Sequence, residues 1–353
     1  MADTRDFLLG QCARWPGLRP KDLLKGLHQS VFGCGQFVSA DSRDRLLREL
    51  AALPAGEADP GIEELDGPFC RVHLQHLAAC GLSAETLYRL FVLSGETVPG
   101  SPAELEEKLT VLQELAQKGR LPFSLQETEE SVDLWRQKGF PACHHSQGVE
   151  RRYEPHYRVI RQNFGRFIPL LAAIDGLLET KGGGIVAIDG GSAAGKTTLV
   201  AWLERLYDCR VFHMDDFFLR PHQRTPDRLA EPGGIVDLER FREEVLEPVC
   251  RGETVQLRRY DCHTGLLSSS EEQPPKKLTV VEGAYSMHPE LAGVYDLTAF
   301  LAISPEEQRR RIELRNDPES RQLFFDRWIP LEQRYFMAAD VPGRCDLVLK
   351  TEP

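Results

Sequence analysis

Nine cysteines are spread along the chain (Cys12, Cys34, Cys70, Cys80, Cys143, Cys209, Cys250, Cys262 and Cys345) without a single C-x-x-C pair. That absence removes the usual spacing of a structural zinc site and fits reduced thiols in a cytosolic setting. No run of 18 apolar residues occurs, and Met1-Ala2-Asp3-Thr4-Arg5-Asp6 carries no basic region leading into an apolar core, so no membrane span or secretory leader is expected and a cytoplasmic location is. Basic residues are in deficit: 43 Lys and Arg stand against 54 Asp and Glu, a formal charge of −11. A nucleic-acid partner is therefore not expected, because such affinity rests on clustered cations neutralising phosphates. There is no internal repeat. What is present is ordinary globular composition, 41% hydrophobic and 27% charged over 353 residues, a length that suggests about two domains. Homo-oligomerisation is compatible with this composition and is not decided by it.

The strongest pattern is Gly190-Gly191-Ser192-Ala193-Ala194-Gly195-Lys196-Thr197, which fits G-x-x-x-x-G-K-[ST] in full. It follows the β-branched run Gly184 to Asp189 and precedes Thr197 to Leu206, whose apolar residues recur at helical spacing. Strand, glycine loop and helix thus stand in the order a phosphate cradle requires. Glycines let backbone N–H groups converge on phosphate oxygens, Lys196 would reach the β- and γ-phosphates, and the hydroxyls of Thr197 and Thr198 stand at the helix start, Thr197 as a ligand for Mg²⁺.

The first 150 residues read as a mainly α domain of undetermined role. Helical periodicity covers 22–32, 41–53, 83–93 and 103–118, separated by turn-rich stretches at 54–67 and 93–102, with Ser83 and Ser101 as helix starts. Residues 151–182 read as a connecting amphipathic helix, from Tyr153 to Thr180, bent or broken near Pro169. From 183 to 353, short β runs (210–214, 255–260, 278–281, 297–303, 347–349) alternate with helical patterns (238–250, 305–315, 323–336). Such alternation predicts α/β architecture: a P-loop parallel sheet flanked by helices. His73 with His76, and His144 with His145, lack the third ligand of a metal pattern, and Phe32 to Phe37 reads as a tight turn.

Further acids lie where strands end. Phe212-His213-Met214-Asp215-Asp216 closes one β run, and Glu282 closes Leu278-Thr279-Val280-Val281 before the turn at Gly283, the place of a Walker-B acid. The ordered set of phosphate loop, Met-Asp-Asp-Phe-Phe (214–218), Tyr260-Asp261 followed by His263, Val-Glu-Gly (281–283) and an arginine-rich helix resembles the uridine kinase family, grouped with phosphoribulokinase-like and bacterial pantothenate kinase-like enzymes. The resemblance covers about residues 183 to 350 and implies an ATP- and Mg²⁺-dependent kinase. It implies that Asp215 orients or deprotonates the attacking hydroxyl beside Lys196, that Glu282 serves the metal with Thr197, and that Asp237 binds sugar hydroxyls. It further implies that Tyr260 and His263 meet a nucleobase and that Arg311, Arg315 and Arg321 belong to a lid closing on transferred phosphate. Asp216, next to Asp215, stands as a further candidate metal ligand. The Pro- and Arg-rich stretch 220–234 has no counterpart in the family and is expected to shape an acceptor pocket. The expected partner is a small-molecule acceptor, a nucleoside first, with pantothenate or a sugar phosphate as the alternative acceptors. A different class also stays open: a nucleotide-gated binding module whose N-terminal region engages a partner.

Overall fold

The computed structural model describes residues 3–54, 61–96 and 100–352; stretches 55–60 and 97–99, inside the two turn-rich segments, lie outside the described residues. The chain divides into two compact units, Met1–Ala172 and Ala173–Pro353. The division falls inside the segment that the sequence marks as a connection.

In the first unit the main helices are α1 (Thr4–Arg14), α2 (Pro20–Phe32), α3 (Ser42–Ala52), α4 (Ala84–Gly95), α5 (Pro102–Gln117), α6 (Leu125–Gln137) and α7 (Gln147–Tyr153). Their starts are set locally. Ser83 accepts a hydrogen bond from the Thr86 N–H, Ser101 does so from Glu104 with Pro102 in the first turn, and Ser124 and Glu127 form a reciprocal capping box. Leucines at helical spacing, including Leu87, Leu90, Leu105, Leu109 and Leu112, are fully buried, and α2 packs on α5 and α6.

The connecting segment folds differently from its sequence pattern. The helix foreseen from Tyr153 to Thr180 is instead strand β3 (Tyr157–Arg161), a short helical turn (Gln162–Arg166) and helix α8 (Ile168–Lys181). Together with β1 (Ile62–Glu64) and β2 (Phe69–His73), β3 makes an antiparallel sheet in the order β1-β2-β3 that the mainly α reading missed. Pro155 is the physical reason: it disfavours a right-handed helical conformation at the preceding residue, where Glu154 caps α7 at φ 42°, and the chain continues extended through Val159 and Ile160. Pro169 sits in the first turn of α8, where its missing N–H costs nothing.

A buried carboxylate ties this unit together. Asp22 accepts hydrogen bonds from the Arg19 N–H (2.9 Å), the Ser146 N–H (2.7 Å) and the Ser146 hydroxyl (2.7 Å), and faces His145 Nδ1 at 3.3 Å. Burial alone would raise its pKa, but these bonds from His145, Ser146 and Arg19 outweigh it and hold Asp22 at about 2.

The second unit is built on five parallel strands, β4 (Gly184–Gly190), β5 (Cys209–His213), β6 (Leu278–Glu282), β7 (Leu297–Ala302) and β8 (Leu347–Lys350), in the order β8-β7-β4-β6-β5. Counted within the unit this is 5-4-1-3-2, with the first strand central and followed directly by the glycine loop and α9 (Lys196–Leu206), which is a P-loop fold. All five residues of β6 are buried, as a strand covered on both faces must be. Helices α10 (Pro305–Arg315) and α11 (Ile329–Ala338) follow β7, and two short antiparallel ribbons (Val255–Leu257 with Glu271–Gln273, Tyr260–Asp261 with Leu266–Leu267) precede β6.

All nine cysteines are unpaired, with Cys34 and Cys70 buried. Among the described residues no helix is long and apolar enough to cross a membrane.

A carboxylate with a depressed folded pKa contributes stability that is present above its unfolded value of 3.8 and is lost as pH falls towards 2. Asp22→Ala should lower the unfolding free energy by roughly 2–4 kcal/mol in urea at neutral pH and flatten this acid limb.

Candidate active site

The carboxyl ends of β4, β6 and β5 lie side by side: Glu282 pairs in register with Ile188 on one flank and His213 on the other. Three sequence motifs separated by up to about ninety residues therefore converge on one edge of the sheet, the edge where ligands bind in open α/β folds.

The loop after β4 has the backbone of an anion cradle. Gly190 adopts φ 148°, and a Cβ there would lie 2.6 Å from the Leu301 carbonyl oxygen, so only glycine fits. Gly195 caps α9 at φ 94°, and Ala193 is held left-handed at φ 61°, the conformation that turns successive N–H groups inward. Lys196 Nζ donates to the carbonyls of Gly190 (2.8 Å) and Gly191 (3.0 Å), which holds the ammonium across the loop mouth. The loop is braced from outside. Ser192 gives its N–H (2.9 Å) and its hydroxyl (2.5 Å) to the Glu332 carboxylate of α11, and Gln308 Nε2 donates to the Ser192 carbonyl (2.9 Å). Ala194 is buried, while Thr197 and Thr198 are exposed at the start of α9.

Asp189, directly before the loop, is fully buried and accepts from the Gly190 N–H (2.7 Å), the Met287 N–H (2.9 Å) and the Tyr335 hydroxyl (2.8 Å). Burial dominates those bonds and lifts its pKa to about 6. Asp215 heads the turn after β5. Water reaches its carboxylate, yet protein crowds it on the remaining sides, and this desolvation raises its pKa, opposed by Lys196 and reinforced by Glu282 and Asp216. Glu282 is buried and bonded to His213 Nδ1 at 2.5 Å, a bond that raises the histidine's pKa.

The remaining candidates are arranged differently from one another. Asp216 is paired with Arg259 at 3.0 Å. Asp237 is buried, caps the helical turn that begins at Leu238 and accepts from Gln223 Nε2 (2.8 Å) and the Arg240 N–H (3.2 Å). Tyr260 is buried with its hydroxyl accepting from Arg224 (3.0 Å), whereas His263 is exposed on the turn of a two-residue ribbon. Of the arginines, Arg311 acts as a strut: its guanidinium holds the carbonyls of Ala193 (3.1 Å) and Thr351 (2.8 Å) and the Glu307 carboxylate (2.7 Å). Arg315 and Arg321 both bond to Asn316. In this arrangement no predicted lid arginine is free of partners within the chain.

Three residues outside the sequence reading belong to the site. Glu332 and Asp189 brace the loop. Tyr285, three residues beyond Glu282, takes φ 79°, a costly conformation for an aromatic residue, and its buried hydroxyl has no hydrogen-bond partner among the described residues. It lines a cavity of about 380 Å³ with Arg334, Arg327, Asp326, Gly233 and Glu231. The 220–234 stretch thus supplies a wall of that cavity. Burial raises the Tyr285 pKa, as do the nearby charges of Glu332, Asp189 and Asp215.

No family model matches the sequence, and no curated protein is similar enough to stand as a relative. Solved structures do resemble about half of the chain, while its N-terminal region is unmatched. A protein described as a possible uridine kinase, from Bacillus stearothermophilus, is 20% identical, covering 51% of this chain and 98% of its own at a TM-score of 0.37. D-glycerate 3-kinase from Cryptococcus neoformans is 16% identical, covering 54% of this chain and 94% of its own at a TM-score of 0.36. This likeness concerns the fold. The P-loop assignment itself rests on the strand order and the loop geometry given above.

The His213–Glu282 pair has a measurable signature. A histidine whose folded pKa is raised contributes stability that is complete below its unfolded value of 6.5 and is lost as pH rises through the folded value. The melting temperature should fall across that window in the wild type, and His213→Gln should remove the slope.

Proposed function

We propose that the protein is an ATP-dependent kinase that phosphorylates a hydroxyl of a small metabolite, with a nucleoside the first acceptor to test. The observation carrying this reading is the convergence of Lys196, Asp215 and Glu282 at the ends of adjacent strands, close enough for Lys196 and Glu282 to act electrostatically on Asp215. A nucleotide switch has no acceptor hydroxyl to orient and no need for an acid at Asp215.

The loop fits a nucleotide phosphate chain, because Gly190, Ala193 and Gly195 hold the required backbone and Lys196 spans the mouth. Thr197 and Glu282 would hold Mg²⁺, a donor set of one hydroxyl and one carboxylate completed by phosphate oxygens and water, as that ion prefers. When bound, Mg-ATP supplies the phosphoryl group and the metal neutralises part of its charge. This chain's residues do the rest. Lys196 and the loop N–H groups fix the phosphates, and Asp215 accepts a hydrogen bond from the acceptor hydroxyl and aims its oxygen. Because the transition state of phosphoryl transfer is loose, that alignment outweighs early proton removal. The cavity beside Tyr285 is the acceptor pocket in this reading, and the Tyr285 hydroxyl, unpartnered among the described residues, is a group the acceptor would meet there. Asp237 and His263 are not needed for it, since one is committed to internal bonds and the other stands exposed on a ribbon turn.

A product-resolved screen of nucleosides, pantothenate, sugar phosphates and hydroxy acids with Mg-ATP tests the proposal, and the absence of any phosphorylated product would overturn it. With the acceptor in hand, Lys196→Ala and Asp215→Asn should each lower turnover by roughly 10²- to 10⁴-fold while circular dichroism stays unchanged. The acid limb of the wild-type rate should sit above the ordinary carboxylate value of 3.8, because Asp215 must be ionised to work and its pKa is raised; Asp215→Asn should abolish that limb. Tyr285→Phe should raise the KM for the acceptor and leave that for ATP in place.

A further inference from the structure

The first unit contains a cavity of about 320 Å³ that plays no part in the proposed transfer reaction. Its size is at the lower end of small-molecule sites. The wall is dominated by rings: Trp15, His73, His76, His145, Tyr153 and Tyr157 all face it. They stand at steep angles to one another, with Trp15 and Tyr153 edge to face at 5.0 Å and His73 and Tyr157 at 5.8 Å. Flat ligands are held by such slots through stacking and edge contacts.

The polar part of the wall is preorganised. His145 Nε2 and the Tyr157 hydroxyl are 2.8 Å apart, and Glu63 accepts from Gln11 (2.6 Å) and Arg71 (3.3 Å) and meets His73 Nε2 at 3.0 Å. One group is left over: His76 Nδ1 is buried and has no hydrogen-bond partner among the described residues. A buried polar atom of this kind costs free energy unless a ligand or water meets it. At the rim, Glu154 is strained into the left-handed region at φ 42°.

Charge narrows the ligand further. Arg71 is the one arginine or lysine among the residues lining the cavity, and its guanidinium is buried and spent on Gln29, Gln11 and Glu63. Asp22, Glu63 and Glu154 line the same space. With its one guanidinium engaged inside the chain and three carboxylates on the wall, the cavity disfavours a phosphate or carboxylate guest. No three metal-ligating side chains converge among the described residues either.

We propose that this cavity is a binding site for a planar nitrogen heterocycle of nucleobase or nucleoside size that carries no phosphate. The ring would lie between the aromatic walls, with one of its nitrogens or exocyclic groups meeting His76 Nδ1. The inference stands independently of the phosphotransfer reading, since every residue in it belongs to the first unit.

Isothermal titration of the full-length protein with adenine and cytosine tests this, using benzylamine and benzoate as an aromatic amine and an aromatic acid of similar width. A base should bind, and His76→Phe should weaken it at least about tenfold, the order expected for one lost polar contact. Lys196→Ala, in the other unit, should leave that affinity unchanged. Adenosine should displace adenine more effectively than AMP does. Because His76→Phe could disturb folding, a second readout uses Trp15: adenine should quench the protein's fluorescence, and the milder Trp15→Phe should remove that quench. The proposal is overturned if no base binds, if benzylamine or benzoate binds as well as the bases, if AMP competes as well as adenosine, or if binding and quenching survive both substitutions.

Discussion

Asp189 is the charge on which the candidate catalytic edge depends. It ends the central strand, is sealed from water, and takes hydrogen bonds from the first N–H of the phosphate loop, from the backbone beyond Glu282 and from Tyr335 of α11. Three pieces of chain that are remote in sequence are thereby referred to one pair of oxygen atoms. Loop geometry, the placement of Tyr285 and the position of Glu332 all follow from that reference. Burial outweighs those three hydrogen bonds and raises its pKa to about 6, so the ionised carboxylate is held there at a desolvation cost. Such an arrangement persists only where the surrounding packing fixes it.

The first unit solves a similar problem by other means. There, buried polar groups are satisfied in pairs and chains, through Asp22 with Ser146 and through Arg71 with Glu63 and Gln29, and these networks join helices to a small antiparallel sheet. Apolar packing among the leucines of α4 and α5 supplies bulk cohesion, whereas the ionic network specifies how α2 and β2 meet. Non-directional burial cannot set such a register by itself.

Much of the second unit was legible in the sequence because its signals are local. A glycine loop needs its glycines in consecutive positions, a buried strand needs a continuous apolar run, and a carboxylate at a strand end follows both, so Gly190 to Thr197, Asp215 and Glu282 could be read in order. Four helices of the first unit were legible from periodicity and serine caps. Its sheet was not, since β3 begins only because Pro155 forces an extended chain, and two arginines among its five residues mask the alternation. Glu332 and Tyr285 were invisible for a different reason. Their roles depend on long-range placement, a contact across 140 positions in one case and a backbone angle in the other, and neither leaves a pattern in neighbouring residues. Asp237 shows the converse, a residue in a family-like position whose carboxylate is absorbed by a helix cap and Gln223.

The cysteines carry a practical consequence. Burial pushes the thiols of Cys34, Cys70, Cys209 and Cys345 up to about 12, so at neutral pH almost none of each exists as the thiolate that reacts with electrophiles and oxidants. Cys80, Cys250 and Cys262 are exposed, two of them in the second unit and one in the first. The fold thus separates its own sulfur chemistry into an inert set that is wholly or partly buried and a reachable surface set. Each unit carries at least one natural attachment point for a spectroscopic probe.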